Sequence, residues 1–224
     1  MKTVFLQNYQ HLKRLTFAAA VCALLIMTRI KITHSLFGLF LIWNLFLALV
    51  PLGITWTMLY YKSLLQKPIL LSLLTFIWVL FLPNAPYIFT DFVHLKMNTT
   101  GQYLFDFILI LAFSSLALYA GLVSVVAMQK IWKPKINSVM LQMLTFIIFC
   151  LCGYGLYLGR VLRYNSWDVL TNPLALLHDV WYFVINPFEN WPILVVSASL
   201  GLLLTLIYTV LKSLKLLNTD ETNP

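Results

Sequence analysis

The chain alternates long apolar runs with short polar interruptions. Apolar residues dominate stretches of about 15–30, 35–60, 69–89, 103–128, 138–158 and 191–211, with brief clusters of Lys, Arg, Asp, Asn and Pro between them. A helix needs about 20 apolar residues to cross roughly 30 Å of hydrocarbon. The pattern therefore predicts six membrane spans in a single integral membrane domain. The expected fold class is all-α, a polytopic helical membrane protein. The dyad alternation of a transmembrane barrel is not seen.

Local signals refine these spans. Leu15–Thr28 has the length of a signal-peptide core, but Thr28-Arg29 offers no small-residue cleavage site, so an uncleaved span is expected. Arg29-Ile30-Lys31 reads as a tight connection, and Pro51 with Gly53 is expected to kink the second span. Only about fourteen residues separate Lys67-Pro68 from Pro83, roughly 20 Å of helix. Either Pro83–Tyr87 lies at the far interface or the helix continues through a kink. Gly155 and Gly159 form a small-xxx-small pair suited to close packing. Residues 174–185 are expected to form a short interfacial helix anchored by Trp181 and Tyr182.

The composition agrees with this class. The chain is 61% hydrophobic and 10% charged, against roughly 25% charged in soluble domains. Its net charge of +8 comes from Lys and Arg at the ends of apolar runs, such as Lys130, Lys133 and Lys135. These read as topology signals, so no nucleic-acid partner is expected and membrane lipids are. Ten basic residues fall on the side of the two termini and five (Arg29, Lys31, Lys96, Arg160, Arg163) on the other. The positive-inside rule then predicts cytoplasmic termini in a cell (plasma) membrane. Cys22, Cys150 and Cys152 sit inside apolar runs as packing residues.

Two polar stretches interrupt this pattern. In the first, Asn84 is expected to N-cap a helix with Pro86 in its first turn, so that Tyr87, Asp91 and His94 share one face at i, i+4, i+7. The second, Gly159–Asp168, ends the fifth span, and Asp106 opens the fourth, where an acid complements the helix dipole. Ionisable groups near membrane depth are costly and mark functional positions. The predicted topology puts both stretches on the extracytoplasmic side.

Phe81-Leu-Pro-Asn-Ala-Pro-Tyr-Ile-Phe-Thr-Asp-Phe-Val-His-Leu95 and Gly159-Arg-Val-Leu-Arg-Tyr-Asn-Ser-Trp-Asp-Val169 resemble a bacterial membrane-protein family catalogued as domain of unknown function 1361. The resemblance implies a multi-span integral membrane protein and carries no activity.

Three chemistries fit these residues. Asp91 and His94 at i, i+3 suit a shared metal, with Asp168 or His178 completing the ligands, but no His-Glu-x-x-His or Cys-x-x-Cys pattern supports one. The rival is a buried Asp–His or Asp–Arg network. His94 oriented by Asp91 suits a general base, with Ser166 or Tyr87 as partner, though no nucleophile elbow is present. Asp91, His94 and Asp168 are thus the candidate catalytic set. Arg160 and Arg163 at i, i+3 suit a phosphate, against head-group anchoring or pairing with Asp91, Asp106 or Asp168. Asn84, Tyr87, Asn165 and Trp167 complete the candidate substrate-binding set.

The expected function is an outward-facing polar pocket between the third, fourth and fifth spans that binds a lipid-like or envelope-associated molecule. The alternatives are a membrane-embedded enzyme, metal-dependent or acid–base, acting on a lipid-linked substrate, and a non-catalytic assembly or transport component. The motifs specify no cofactor and no protein partner.

Overall fold

The computed structural model describes residues 2–36, 38–95 and 100–217. The helices are α1 (Lys2–Thr33), α2 (Leu39–Tyr60), α3 (Pro68–Phe81), α4 (Asn84–Tyr87), α5 (Thr100–Trp132), α6 (Ser138–Arg160), α7 (Asp168–Thr171), α8 (Pro173–Ile185) and α9 (Trp191–Ser213). Lys62–Gln66 and Ile88–His94 are wound as 3₁₀ helix. No strand occurs among the described residues. Among the described residues, six helical segments are long and apolar enough to cross a membrane, the third of them running from Pro68 to His94. The fold is that of an all-α, polytopic helical membrane protein.

The first α-helix is longer than the apolar run that predicts it. Arg29 and Lys31 lie inside α1 rather than in a connection, because Ile30 and Ile32 keep the segment apolar enough to stay wound. The chain turns into α2 through Gly38, whose φ of 96° suits a residue without a Cβ. α2 continues as one helix through Pro51 and Gly53. Lys96 and Asn98-Thr99, the start of an Asn-x-Thr glycosylation acceptor pattern, lie outside the described residues.

α5 is the hub. Of its most apolar stretch 67% is buried, against 22–28% for the other spans. Its sequence is apolar on every side, the pattern of a helix enclosed by others. Leu109, Ile110, Phe113, Ala117, Ala120 and Val123 are all nearly inaccessible. α2, α1 and α4 pack around it. α1 runs antiparallel to α5, since Arg29 meets Asp106 while His11 meets Tyr119.

α6 and α9 form a separate close pair. A Cβ on Gly153 would stand 2.6 Å from the Ser197 Cα, and one on Gly201 would stand 2.5 Å from the Cys150 Sγ. Without Cβ atoms there, the two backbones approach to van der Waals contact, as small residues permit between membrane helices. Far from α8, this pair is tied to α5 by Gln129, which donates to Thr145 at 2.8 Å and accepts from the Tyr208 hydroxyl at 2.7 Å. Just past α9, Leu216 O accepts from Arg14 of α1 and Tyr119 of α5, and another tie lies at the end of the bundle that carries α8.

Candidate functional site

The site begins where α3 meets two prolines. Leu82 and Pro83 keep right-handed helical angles, so the chain bends without unwinding. Of the two routes the span length left open, the helix takes the continued one. Pro83 and Pro86 lack N–H groups, so the regular ladder fails here. Ala85 donates to Leu82 O at 3.0 Å, one residue short of the α pattern. This strips Phe81 O of its usual donor. The Asn84 side-chain amide replaces it at 2.8 Å and also reaches Ser166 Oγ at 3.1 Å. Asn84 is therefore not the expected N-cap; it donates backwards to a carbonyl that the proline geometry leaves open.

Beyond Tyr87 the winding tightens to 3₁₀ helix, with the Thr90 hydroxyl bonded to Tyr87 O at 2.6 Å. At three residues per turn, Asp91 and His94 fall on one edge. The α register expected across this stretch is replaced, yet Tyr87, Asp91 and His94 still converge. They do so on Arg160.

Two glycines let α6 reach them. A Cβ on Gly155 would lie 2.6 Å from Pro83 Cγ, and one on Gly159 would lie 3.0 Å from the Tyr87 ring. Set one turn apart, they form a notch that seats α4. Arg160 ends α6 immediately beyond that notch. Its Nη2 donates to Asp91 Oδ1 at 3.1 Å and to the Thr90 carbonyl. Its Nη1 faces His94 Nε2 at 3.3 Å, and its guanidinium lies 5.4 Å from the centre of the Tyr87 ring. Asn44 of α2 donates to the other Asp91 oxygen at 2.9 Å.

Burial divides this cluster into two. The Asp91 side chain is 2% exposed, Arg160 28% and His94 48%. Asp91 and Asn44 thus form the inner half, while Arg160 and His94 open outward. His94 lies 3.9 Å from Asp91 Oδ1, beyond hydrogen-bond reach, and packs edge-on against Phe40. Its closest polar neighbour is Arg160 rather than Asp91. Because an arginine only donates, the imidazole nitrogen facing it accepts.

The remaining candidates stand apart. Arg163 has a φ of 62° and an exposed side chain past the end of α6, so it does not continue the helical face of Arg160. The left-handed turn lets Tyr164 N bond to Leu158 O at 3.0 Å. Asp168 accepts from Asn165 N at 2.6 Å and from the Thr171 hydroxyl at 2.9 Å. These bonds, the Asn165 N–H foremost, hold its carboxyl below the usual carboxylate range. Both of its oxygens are engaged within their own loop. Trp167 meets Trp43 of α2, ring centroids 6.2 Å apart, and Asn165 is exposed beside it. The Tyr164 hydroxyl donates to Asp179 at 2.9 Å, which raises the phenol pKa.

Asp106 is held by a partner the sequence did not reveal. Arg29 forks onto it, Nε to Oδ1 at 2.6 Å and Nη2 to Oδ2 at 3.1 Å, with both residues buried. This bidentate pair joins α1 to α5 and fixes Asp106 by more than the helix dipole. Among the described residues no three His, Cys, Asp or Glu side chains converge as metal ligands do. Asp91, His94, Asp168 and His178 therefore do not assemble into the ligand set that their types allowed. A void of about 10 Å³ between α4, α5, α6 and α9 is lined by Leu82, Ala85, Gly121, Phe149 and Leu204, room for one water at most.

An all-helical bundle of six apolar spans with a polar cluster gathered at one end defines a multi-pass membrane protein. The chain belongs to the family described as "Protein of unknown function (DUF1361)", which matches residues 43–207. That range holds Asn44, Asp91, His94 and Arg160, while Arg29 lies before it. No curated protein and no solved structure matches the chain.

Proposed function

We propose that this protein binds a phosphate-bearing lipid or lipid-linked envelope molecule at the Arg160 end of the bundle, which faces away from the cytoplasm of a cell membrane. The observation that carries this reading is the divided state of Arg160. One edge of its guanidinium is fixed by Asp91 and Thr90, and the other opens beside the half-exposed His94. A pre-positioned arginine with spare donors is suited to phosphate oxygens, because little side-chain freedom remains to be lost on binding. Arg163, exposed three residues beyond Arg160, is a second cation in the same loop region, with Asn165 and Trp167 exposed after it. Asn84 and Tyr87 hold the α4 side in place.

The opposite polar layer supports a site at one end over a path through the bundle. Thr145 and Arg160 are fifteen positions apart on α6, or roughly 22 Å. Phe149 and Cys152 occupy the helix between them, both buried. Asp168, turned to its own loop, weakens the catalytic alternative. His94, half-exposed beside the open edge of Arg160, is the group placed to contact a bound phosphate.

The test uses thermal stabilisation of the purified full chain by dioctanoyl phosphatidic acid, with inorganic phosphate and dioctanoyl phosphatidylcholine for comparison. Arg163→Gln and His94→Ala remove exposed groups, so each is expected to keep the unliganded melting temperature. Each lost charge-assisted contact is expected to weaken phosphatidic acid binding about tenfold or more. Binding unchanged in both variants, or no stabilisation of the wild type, overturns the proposal. Equal stabilisation by inorganic phosphate would make the ligand a free anion rather than a lipid.

A further inference from the structure

α8 carries a surface used by neither the helical core nor the Arg160 cluster. Its side chains sort into three sectors at 100° per residue. Leu176, Asp179, Val180 and Phe183 turn toward the protein and are partly buried. Asp179 takes the Tyr164 hydroxyl, and Phe183 stacks on Tyr154 of α6 with ring centroids 4.3 Å apart. His178 and Tyr182 occupy the next sector and are exposed and polar, with the Tyr182 hydroxyl bonded to Glu189 at 2.6 Å. In the third sector Leu174, Leu177, Trp181 and Val184 span an arc of about 80°, each 61–80% exposed. Phe188, 91% exposed, stands just beyond the helix.

We propose that α8 lies in the plane of the membrane surface, its Leu174–Leu177–Trp181–Val184 arc immersed among the acyl chains of one leaflet. His178 and Tyr182 then mark the boundary with water. A lipid surface fits better than a protein partner because of how the helix is held. It is tied at one end to α6 and at the other to α9, both long and apolar enough to span a membrane, so it stays at the bilayer boundary. Its apolar arc continues through Phe188 into exposed Trp191, the first residue of α9. A protein face, a polar face and an apolar face in sequence around one helix describe an interfacial helix docked to a bundle. The Tyr182 phenol on the polar side of the arc and the exposed Trp191 indole at the start of α9 suit the head-group level.

The experiment places single thiols for a bimane label at Leu177→Cys, Val184→Cys and His178→Cys in the full chain. Cys22 and Cys152 are buried, and the Cys150 sulfur faces Gly201, so they compete little for label. The labelled proteins are reconstituted in phosphatidylethanolamine–phosphatidylglycerol vesicles. Nitroxide attached to lipid chains is expected to quench positions 177 and 184 several-fold more than aqueous iodide does, with the order reversed at 178. Iodide quenching at 177 equal to that at 178 would put the arc in water and overturn the proposal. So would protection of 177 and 184 from both quenchers, which would mean that a protein surface covers them.

Discussion

Replacing Arg160 with glutamine probes the tie between α6 and the rest of the bundle. In the native state Asp91 is almost wholly buried, and its charge is balanced by Arg160 at 3.1 Å and the Asn44 amide at 2.9 Å. Removing the cation strands a buried carboxylate, a change that costs about 3–5 kcal/mol in typical sites. Arg160 is 28% exposed, so water already screens part of the pair, which places the expected loss at the lower limit, about 3 kcal/mol. Asp91→Asn is expected to cost less, about 1 kcal/mol, because the amide oxygen still accepts from Asn44 and the freed arginine reaches water. The double variant leaves no stranded charge and is expected to cost about 2 kcal/mol, less than the sum of the singles by about 2 kcal/mol. That coupling corresponds to roughly a 30-fold change in the folding equilibrium. Reversible unfolding in mixed detergent micelles reads all four corners of the cycle. Additive single costs, to within about 0.5 kcal/mol, would refute the ion pair as a stabilising contact. So would an Arg160→Gln variant no weaker than Asp91→Asn.

Two further perturbations test other parts of the structure. Gly155→Ala would set a Cβ 2.6 Å from Pro83 and is expected to destabilise by about 1–3 kcal/mol through overpacking. Gly53→Ala meets nothing within 4 Å and is expected to be neutral or stabilising by up to about 1 kcal/mol; melting temperatures in one detergent compare them. For the Asp168 loop the sign follows from its lowered pKa. The charged form is favoured in the folded loop, so its contribution is full above the ordinary value of 3.8 and is lost as the pH falls through the lowered one. A nitroxide at exposed Leu170→Cys should gain mobility only in that acid range, and Asp168→Asn should make it mobile at neutral pH. Equal spectra for the two at neutral pH would show that Asp168 does not hold the loop.

The spans were legible because length and apolarity are properties of a run, and each run reports itself. The polar cluster was legible in halves. Asp91 and Arg160 stood out as charges at span ends, but their pairing depends on Gly155 and Gly159 seating Pro83 and Tyr87. A small-xxx-small pattern announces close packing without naming what approaches. Asn44 is an amide inside an apolar run, and its role as the second support of Asp91 needed α2 to pack beside the 3₁₀ segment that follows α4. Arg29 was misread as a connecting charge because the apolar run does not show how far α1 continues, and its partner Asp106 lies 77 positions away. The 3₁₀ winding after Tyr87 and the turn at Arg163 are local hydrogen-bond outcomes that residue spacing alone does not encode.

The two buried acids differ in when their cations are made. Asp106 follows Arg29 by 77 residues, so its partner is already synthesised when it leaves the ribosome. Asp91 precedes Arg160 by 69 residues. At about 5–20 residues per second, that interval lasts on the order of several seconds. During it Asn44, made 47 residues earlier, is already present to donate to the carboxylate. The Asp91–Arg160 contact therefore cannot form until α6 has been made, whereas the Asn44 contact is available from the start. A chain shortened before α6 would keep the Asn44 contact to the buried Asp91 carboxylate and lose the charged one from Arg160, the larger share of its stabilisation.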